Sequence, residues 1–260
     1  ILMKVDKAAR YIGGEVNSVM KDKNAVDIRF AMCFPDVYEI GMSNLGMMIL
    51  YNMFNQREDV WCERLFSPWP DLDKVMREEK IPLFALESQE PIRDFDFLGI
   101  TIGYEMCYTN ILQVLDLSGI PLKSADRGED FPIVIGGGAC AYNPEPLAPF
   151  FDMFYIGEGE TVYDALFDAY KANKKAGGSR KDFLLAAAKI PGIYVPSLYE
   201  VTYKEDGTIA SFAPTADGVP EKVQKQLIID MEKEYRAVEA PVVPHIKATQ
   251  DRVTLEIQRG

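Results

Sequence analysis

From Phe95 to Glu160 the chain alternates short apolar runs with stretches of helical spacing. Residues 97–102, 131–135 and 153–156 are apolar runs of strand length, broken only by Thr101. Residues 107–117 carry apolar side chains at helical intervals, and the same spacing returns over 161–174. Apolar strands that each run into a loop and then an amphipathic helix predict a parallel sheet covered on both faces.

The pattern extends in both directions. Residues 26–32 alternate and then turn apolar, which predicts a first strand ending before Pro35-Asp36. Leu45, Met48, Ile49 and Phe54 share one helical face, with Ser43-Asn44 placed to cap it. A short, polar strand is expected at 64–66, at a sheet edge. A helix opens at Pro70 and runs through Glu79, and another strand is expected at 83–86. Beyond a break at Gly177-Gly178-Ser179-Arg180, a short helix is expected at 182–189. Two further stretches, 192–196 and 199–204, alternate. The Glu205-Asp206-Gly207-Thr208 turn then predicts a hairpin with 209–212. Pro214, Pro220, Pro241 and Pro244 mark a connector. Within it 221–236 reads as a solvated helix with Leu227, Ile228 and Met231 inward, and 252–260 as an alternating strand. The expected architecture is α/β: a doubly wound, flavodoxin-like sheet of five parallel strands in the order 2-1-3-4-5 over 26–175. A lead-in (1–25) precedes it. A helix and β-hairpin appendage (176–213) follows, then a connector with a terminal strand (214–260).

Composition narrows the function classes. A chain of 260 residues, 48% hydrophobic and 26% charged, buries a core without disulfide staples. The net charge of −12 argues against a broad nucleic-acid surface. No apolar run reaches membrane-span length, and the start lacks a signal-peptide layout, so a cytoplasmic protein with no membrane association is expected. Cys33, Cys62, Cys107 and Cys140 are scattered, so no local metal clip exists and no metal ligands are assigned. The single histidine, His245, lies in the connector, where an exposed side chain is the ordinary outcome; histidine-based catalysis is not expected.

Candidate chemistry gathers where strands end. Gly136-Gly137-Gly138 admits close approach of a ligand to the backbone, or makes a tight turn. Gly157-Glu158-Gly159-Glu160 precedes a helix and offers amides, although its glutamates repel phosphate, so a turn serves equally well. Asp36, Tyr38, Ser43 and Asn44 follow the first strand, and Tyr104, Glu105 and Tyr108 the next long one. The tyrosines suit packing on a flat ring or simple closure of the edge. No phosphate loop of the G-x4-G-K-[ST] kind is present, which weakens a stand-alone nucleotide-binding reading.

These motifs together resemble a known family. Three of them are Asp96-Phe97-Leu98-Gly99-Ile100-Thr101, Pro132-Ile133-Val134-Ile135-Gly136-Gly137, and Phe151-Asp152 with Ile156-Gly157-Glu158-Gly159-Glu160. They resemble the cobalamin-binding-type domain that precedes the barrel in many radical SAM enzymes. Phe34-Pro35-Asp36-Val37-Tyr38-Glu39-Ile40-Gly41-Met42-Ser43-Asn44-Leu45-Gly46 narrows the likeness, with Phe66-Ser67-Pro68-Trp69-Pro70-Asp71 and Asn143-Pro144-Glu145-Pro146-Leu147. The chain is similar to the amino-terminal region of an uncharacterised radical SAM family. The resemblance implies a C-x3-C-x2-C cluster motif immediately beyond Gly260. It also implies that the [4Fe–4S] cluster and S-adenosylmethionine belong to the full-length protein, and that the partner of this region is its own barrel domain. It implies an accessory domain, inactive alone, that binds cobalamin without the Asp-x-His-x-x-Gly histidine ligand. The alternative is a cofactor-free module for substrate recognition or docking. The substrate is not legible.

Overall fold

The computed structural model describes residues 2–234, 236, 238, 240–243 and 256. Its centre is a six-stranded sheet in the order β2-β1-β3-β4-β5-β6. The strands are β1 (Ile28–Phe34), β2 (Val60–Phe66), β3 (Phe97–Thr101), β4 (Ile133–Gly137), β5 (Met153–Tyr155) and β6 (Ile193–Tyr194). The first five are parallel and lie in the order expected. The sheet has six strands rather than five, because β6 pairs antiparallel with β5 through Tyr155↔Ile193 and Phe154↔Tyr194. The 192–196 stretch thus closes the main sheet instead of joining the hairpin, which consists of β7 (Tyr199–Tyr203) and β8 (Ile209–Pro214) alone.

Both faces of the sheet are covered, which explains the apolar runs. Phe30 and Met32 of β1, Phe97 of β3 and Ile135 of β4 face α2 (Leu45–Gln56), α5 (Tyr163–Lys175) and α6 (Arg180–Ala187), where they meet Phe54, Phe167 and Phe183. Ala31, Cys33, Leu98, Ile100 and Val134 face the other way, toward α3 (Pro70–Glu79) and α4 (Tyr108–Leu117). A one-turn helix, α1 (Tyr38–Gly41), bridges β1 and α2. Asn44 caps α2 as expected, its Oδ1 accepting from the Met47 N–H at 2.9 Å. The expected break at 177–180 ends in a cap: Ser179 and Asp182 form a reciprocal capping box that starts α6.

The edge strand differs from expectation in length. β2 is at the edge, yet it spans seven residues and all are buried. Its charged middle is neutralised internally. Arg29 donates to Glu63 at 2.6 Å, and Arg64 donates to Glu87 at 2.7 Å and to Glu15 at 2.6 Å. The outer edge is shielded by the lead-in and by 83–90: the Trp61 indole N–H donates to the Val19 carbonyl, and the Leu86 N–H to Arg64. The expected strand at 83–86 is instead part of this cover. Its amides divide among Leu117, Glu90 and Arg64, so no ladder forms. Among the described residues of the connector, 221–230 is extended and irregular, and only α7 (Met231–Glu234) is helical. His245 and all of 252–260 except Glu256 lie outside the described residues. Among the described residues no helix is long and apolar enough to cross a membrane.

Candidate functional site

Toward the carboxyl ends of β1, β3 and β4 the packing between sheet and helices is incomplete. A cavity of about 430 Å³ opens there, between the sheet and the start of α2. Its floor is apolar: Phe30, Met32, Ile135 and the backbone of Gly99. Met47 and Leu50 of α2 and Tyr163 of α5 form one wall, and the loops after β4 and β5 form the rim. Among the described residues no charged side chain lines it. Three hydroxyl-bearing residues do, Thr101, Tyr155 and Tyr163, and the Tyr155 hydroxyl is taken up by the Glu158 carbonyl. Tyr163 is 6% exposed, and its hydroxyl has no hydrogen-bond partner among the described residues. Burial pushes the Tyr163 phenol pKa up, which keeps it protonated as a donor. A phenol that donates to no described residue leaves the cavity suited to a neutral ligand carrying an acceptor.

The predicted glycines divide by what a side chain would meet. At Gly137 a Cβ meets nothing within 4 Å, so this residue alone of 136–138 leaves open space toward the cavity. At Gly136 it would lie 2.8 Å from both Ile102 and Phe154, a packing constraint. Gly138 has φ of 105° and would place a Cβ 2.9 Å from the Ile102 carbonyl. That carbonyl accepts from the Cys140 N–H, so the loop is stitched to the end of β3. Gly157, with φ of 135°, would put a Cβ 2.3 Å from the Gln226 carbonyl. Its role is to let the connector approach: Gln226 donates to the Ile156 carbonyl and accepts from the Glu158 N–H, each at 3.0 Å. Glu158 also accepts from the Ile228 N–H. Gly159 would contact Leu50 at 3.0 Å on the cavity wall.

Of the predicted site residues, Asn44, Gly137, Gly138, Gly157 and Gly159 line the cavity. Asp36, Tyr38, Ser43, Tyr104, Glu105, Tyr108, Gly136 and Glu158 do not. Tyr38 faces the lead-in, donating to Glu15 at 2.9 Å. The Ser43 hydroxyl donates to the Glu39 carbonyl within α1. Tyr104 donates to Asp36 at 2.5 Å at the sheet's outer rim, and this bond pushes its pKa up to about 12. Glu105 is exposed and Tyr108 half-buried on the same rim, beside exposed Met106 and Tyr142. The sequence reading missed Phe30, Met32, Leu50, Thr101, Tyr155 and Tyr163. One signal was available: Gly99, an isolated glycine inside an apolar strand, where a Cβ would fall 2.3 Å from the Phe30 ring. Burial pushes all four thiols up, so none is an activated nucleophile.

The chain belongs to the family described as radical SAM proteins, N-terminal, whose profile matches residues 46–196. The uncharacterized protein MJ0966 of Methanocaldococcus jannaschii is 26% identical over 131 residues, covering 50% of this chain and 24% of that protein. Two solved structures are similar in general layout. One is the cobalamin-dependent S-adenosylmethionine radical enzyme OxsB with aqua-cobalamin and S-adenosylmethionine bound. It has 16% identity and a TM-score of 0.40, over 70% of this chain and 21% of that one. The other is the radical S-adenosylmethionine methyltransferase TsrM of Kitasatospora setae, with tryptophan substrate and a SAM analog bound. It has 13% identity and a TM-score of 0.37, over 69% and 29%. The chain thus spans about a quarter of the length of these relatives.

Proposed function

We propose that this region is a cobalamin-binding accessory domain of a radical SAM protein, and that the cavity behind Gly137 holds the nucleotide tail of the cofactor. The observation that carries the reading is the uncharged, apolar cavity at the carboxyl ends of the strands, with the unpartnered Tyr163 hydroxyl in its wall. A flat heteroaromatic base fits such a lining. The Tyr163 hydroxyl would donate to it, and the first amides of α2 behind Asn44 would meet the phosphodiester. The exposed rim of Tyr104, Met106 and Tyr142 would seat the corrin ring. None of the described lining residues is a histidine, so the cavity lining itself would offer cobalt no imidazole. The cofactor would supply organometallic chemistry; this chain would bind it, orient it and keep water from its tail. The [4Fe–4S] cluster and S-adenosylmethionine chemistry, and the substrate, would belong to the complete protein.

The test compares hydroxocobalamin with cobinamide, which lacks the nucleotide tail. After incubation and gel filtration of the complete protein, cobalamin should be retained at one equivalent, with cobinamide retained at least tenfold less. Equal retention of both corrinoids would remove the tail from the cavity. Retention of neither would favour a cofactor-free recognition or docking module.

A further inference from the structure

The β7–β8 hairpin stands apart from the main sheet as a two-stranded ribbon. Its register pairs Tyr199↔Pro214, Val201↔Phe212 and Tyr203↔Ile209, with a bulge after Thr202. Side chains alternate across a strand, so Tyr199, Val201, Tyr203, Ile209, Phe212 and Pro214 share one face, while Glu200, Thr202 and Ser211 share the other. The base of the apolar face is fixed. Tyr199 packs 5.1 Å from Tyr194 of β6 and stacks 5.2 Å from Phe212, and its hydroxyl donates to the Pro220 carbonyl. The outer part has no cover among the described residues: Tyr203 is 65% exposed, Ile209 59% and Phe212 42%.

A lone two-stranded hairpin is marginal in water, and one apolar face with edges unpaired among the described residues calls for a partner. We propose that this face docks onto the polypeptide that accompanies this region in chains of the relatives' length. The inference rests on family membership and on that length, and is independent of the cobalamin reading. Two physical arguments select this occupant over a second copy of the chain. With a net charge of −12, two copies repel each other. One hairpin face also offers only Tyr203, Ile209 and Phe212 as exposed large apolar side chains, against the roughly 20–30 residues a side that a stable separate complex engages. A tethered partner needs less, because linkage supplies an effective concentration in the millimolar range. The matching surface on that partner is apolar and uncharged where it meets Tyr203 and Ile209.

Hydrogen exchange of residues 199–214, compared between this 260-residue chain and the complete polypeptide, tests the proposal. Exchange should be at least tenfold slower in the complete polypeptide. The double substitution Tyr203→Glu, Ile209→Lys there should restore the fast rate while leaving exchange of β1 and β3 unchanged. Thr202→Lys, on the polar face, should keep the protection. Equal rates in both proteins would overturn the proposal. So would protection that appears in the 260-residue chain as its concentration rises, since the occupant would then be a second copy.

Discussion

Replacing Arg64 with Met should cost about 3–5 kcal/mol of stability at pH 8, the penalty for breaking a buried ion pair and stranding its partner. The Arg64 side chain is 1% exposed and Glu87 is fully buried behind it. Glu87 also accepts from the Arg64 N–H at 2.7 Å and from the Tyr51 hydroxyl at 3.0 Å. Arg64 further holds Glu15, so the variant also loosens the lead-in from β2. Burial pushes the Glu87 pKa up even with Arg64 present, and without the guanidinium the carboxyl stays protonated to a higher pH. A folded-state pKa above the unfolded value contributes stability below the unfolded value and loses it as pH rises. The deficit should therefore shrink between pH 8 and pH 5 in urea unfolding, and Glu87→Gln added to Arg64→Met should recover part of it. A loss under about 1 kcal/mol, independent of pH, would mean that the cluster behaves as a surface pair.

Gly137→Leu should abolish cobalamin uptake, by about 100-fold or more (~2.7 kcal/mol), with the unfolding midpoint nearly unchanged. The Cβ has free space, and Gly137 is not among the glycines with positive φ, so the leucine is unstrained and extends into the cavity. Gly138→Leu should do the reverse. It forces a bulky residue into a left-handed conformation against the Ile102 carbonyl, and should destabilise by about 1–3 kcal/mol or more. Urea unfolding and a retained-cofactor assay on the two variants separate cavity from scaffold. Undiminished uptake by folded Gly137→Leu would place the ligand elsewhere.

The contrast between these glycines shows what could be read from the sequence. Strands β3, β4 and β5 were legible because burial on both faces leaves nearly continuous apolar runs, and β1 because its alternation turns apolar. β2 was expected only over 64–66 because Glu63 looks like a solvent residue, and Arg64 made the strand look polar. Their neutralising partners Arg29, Glu87 and Glu15 lie 23 to 49 positions away, where no local pattern reveals them. The strand-end glycines marked the correct edge of the sheet but not their separate roles. Gly157 makes room for Gln226, and that contact depends on how the connector folds back. Phe30 and Tyr163 were invisible as site residues because cavity lining and core packing use the same side chains. Asp36, Tyr38 and Tyr104 were grouped by their position after strands, whereas their hydrogen bonds hold the rim and the lead-in.

A crystal structure of the complete protein grown with hydroxocobalamin tests the central claim most directly. The account predicts the nucleotide tail enclosed between Gly137, Leu50 and Tyr163, the Tyr163 hydroxyl within hydrogen-bond distance of the base, and the corrin ring on the Tyr104–Met106 rim with no histidine on cobalt. A bound corrinoid whose tail lies outside this cavity, or a cavity filled by side chains of the accompanying polypeptide, would contradict it.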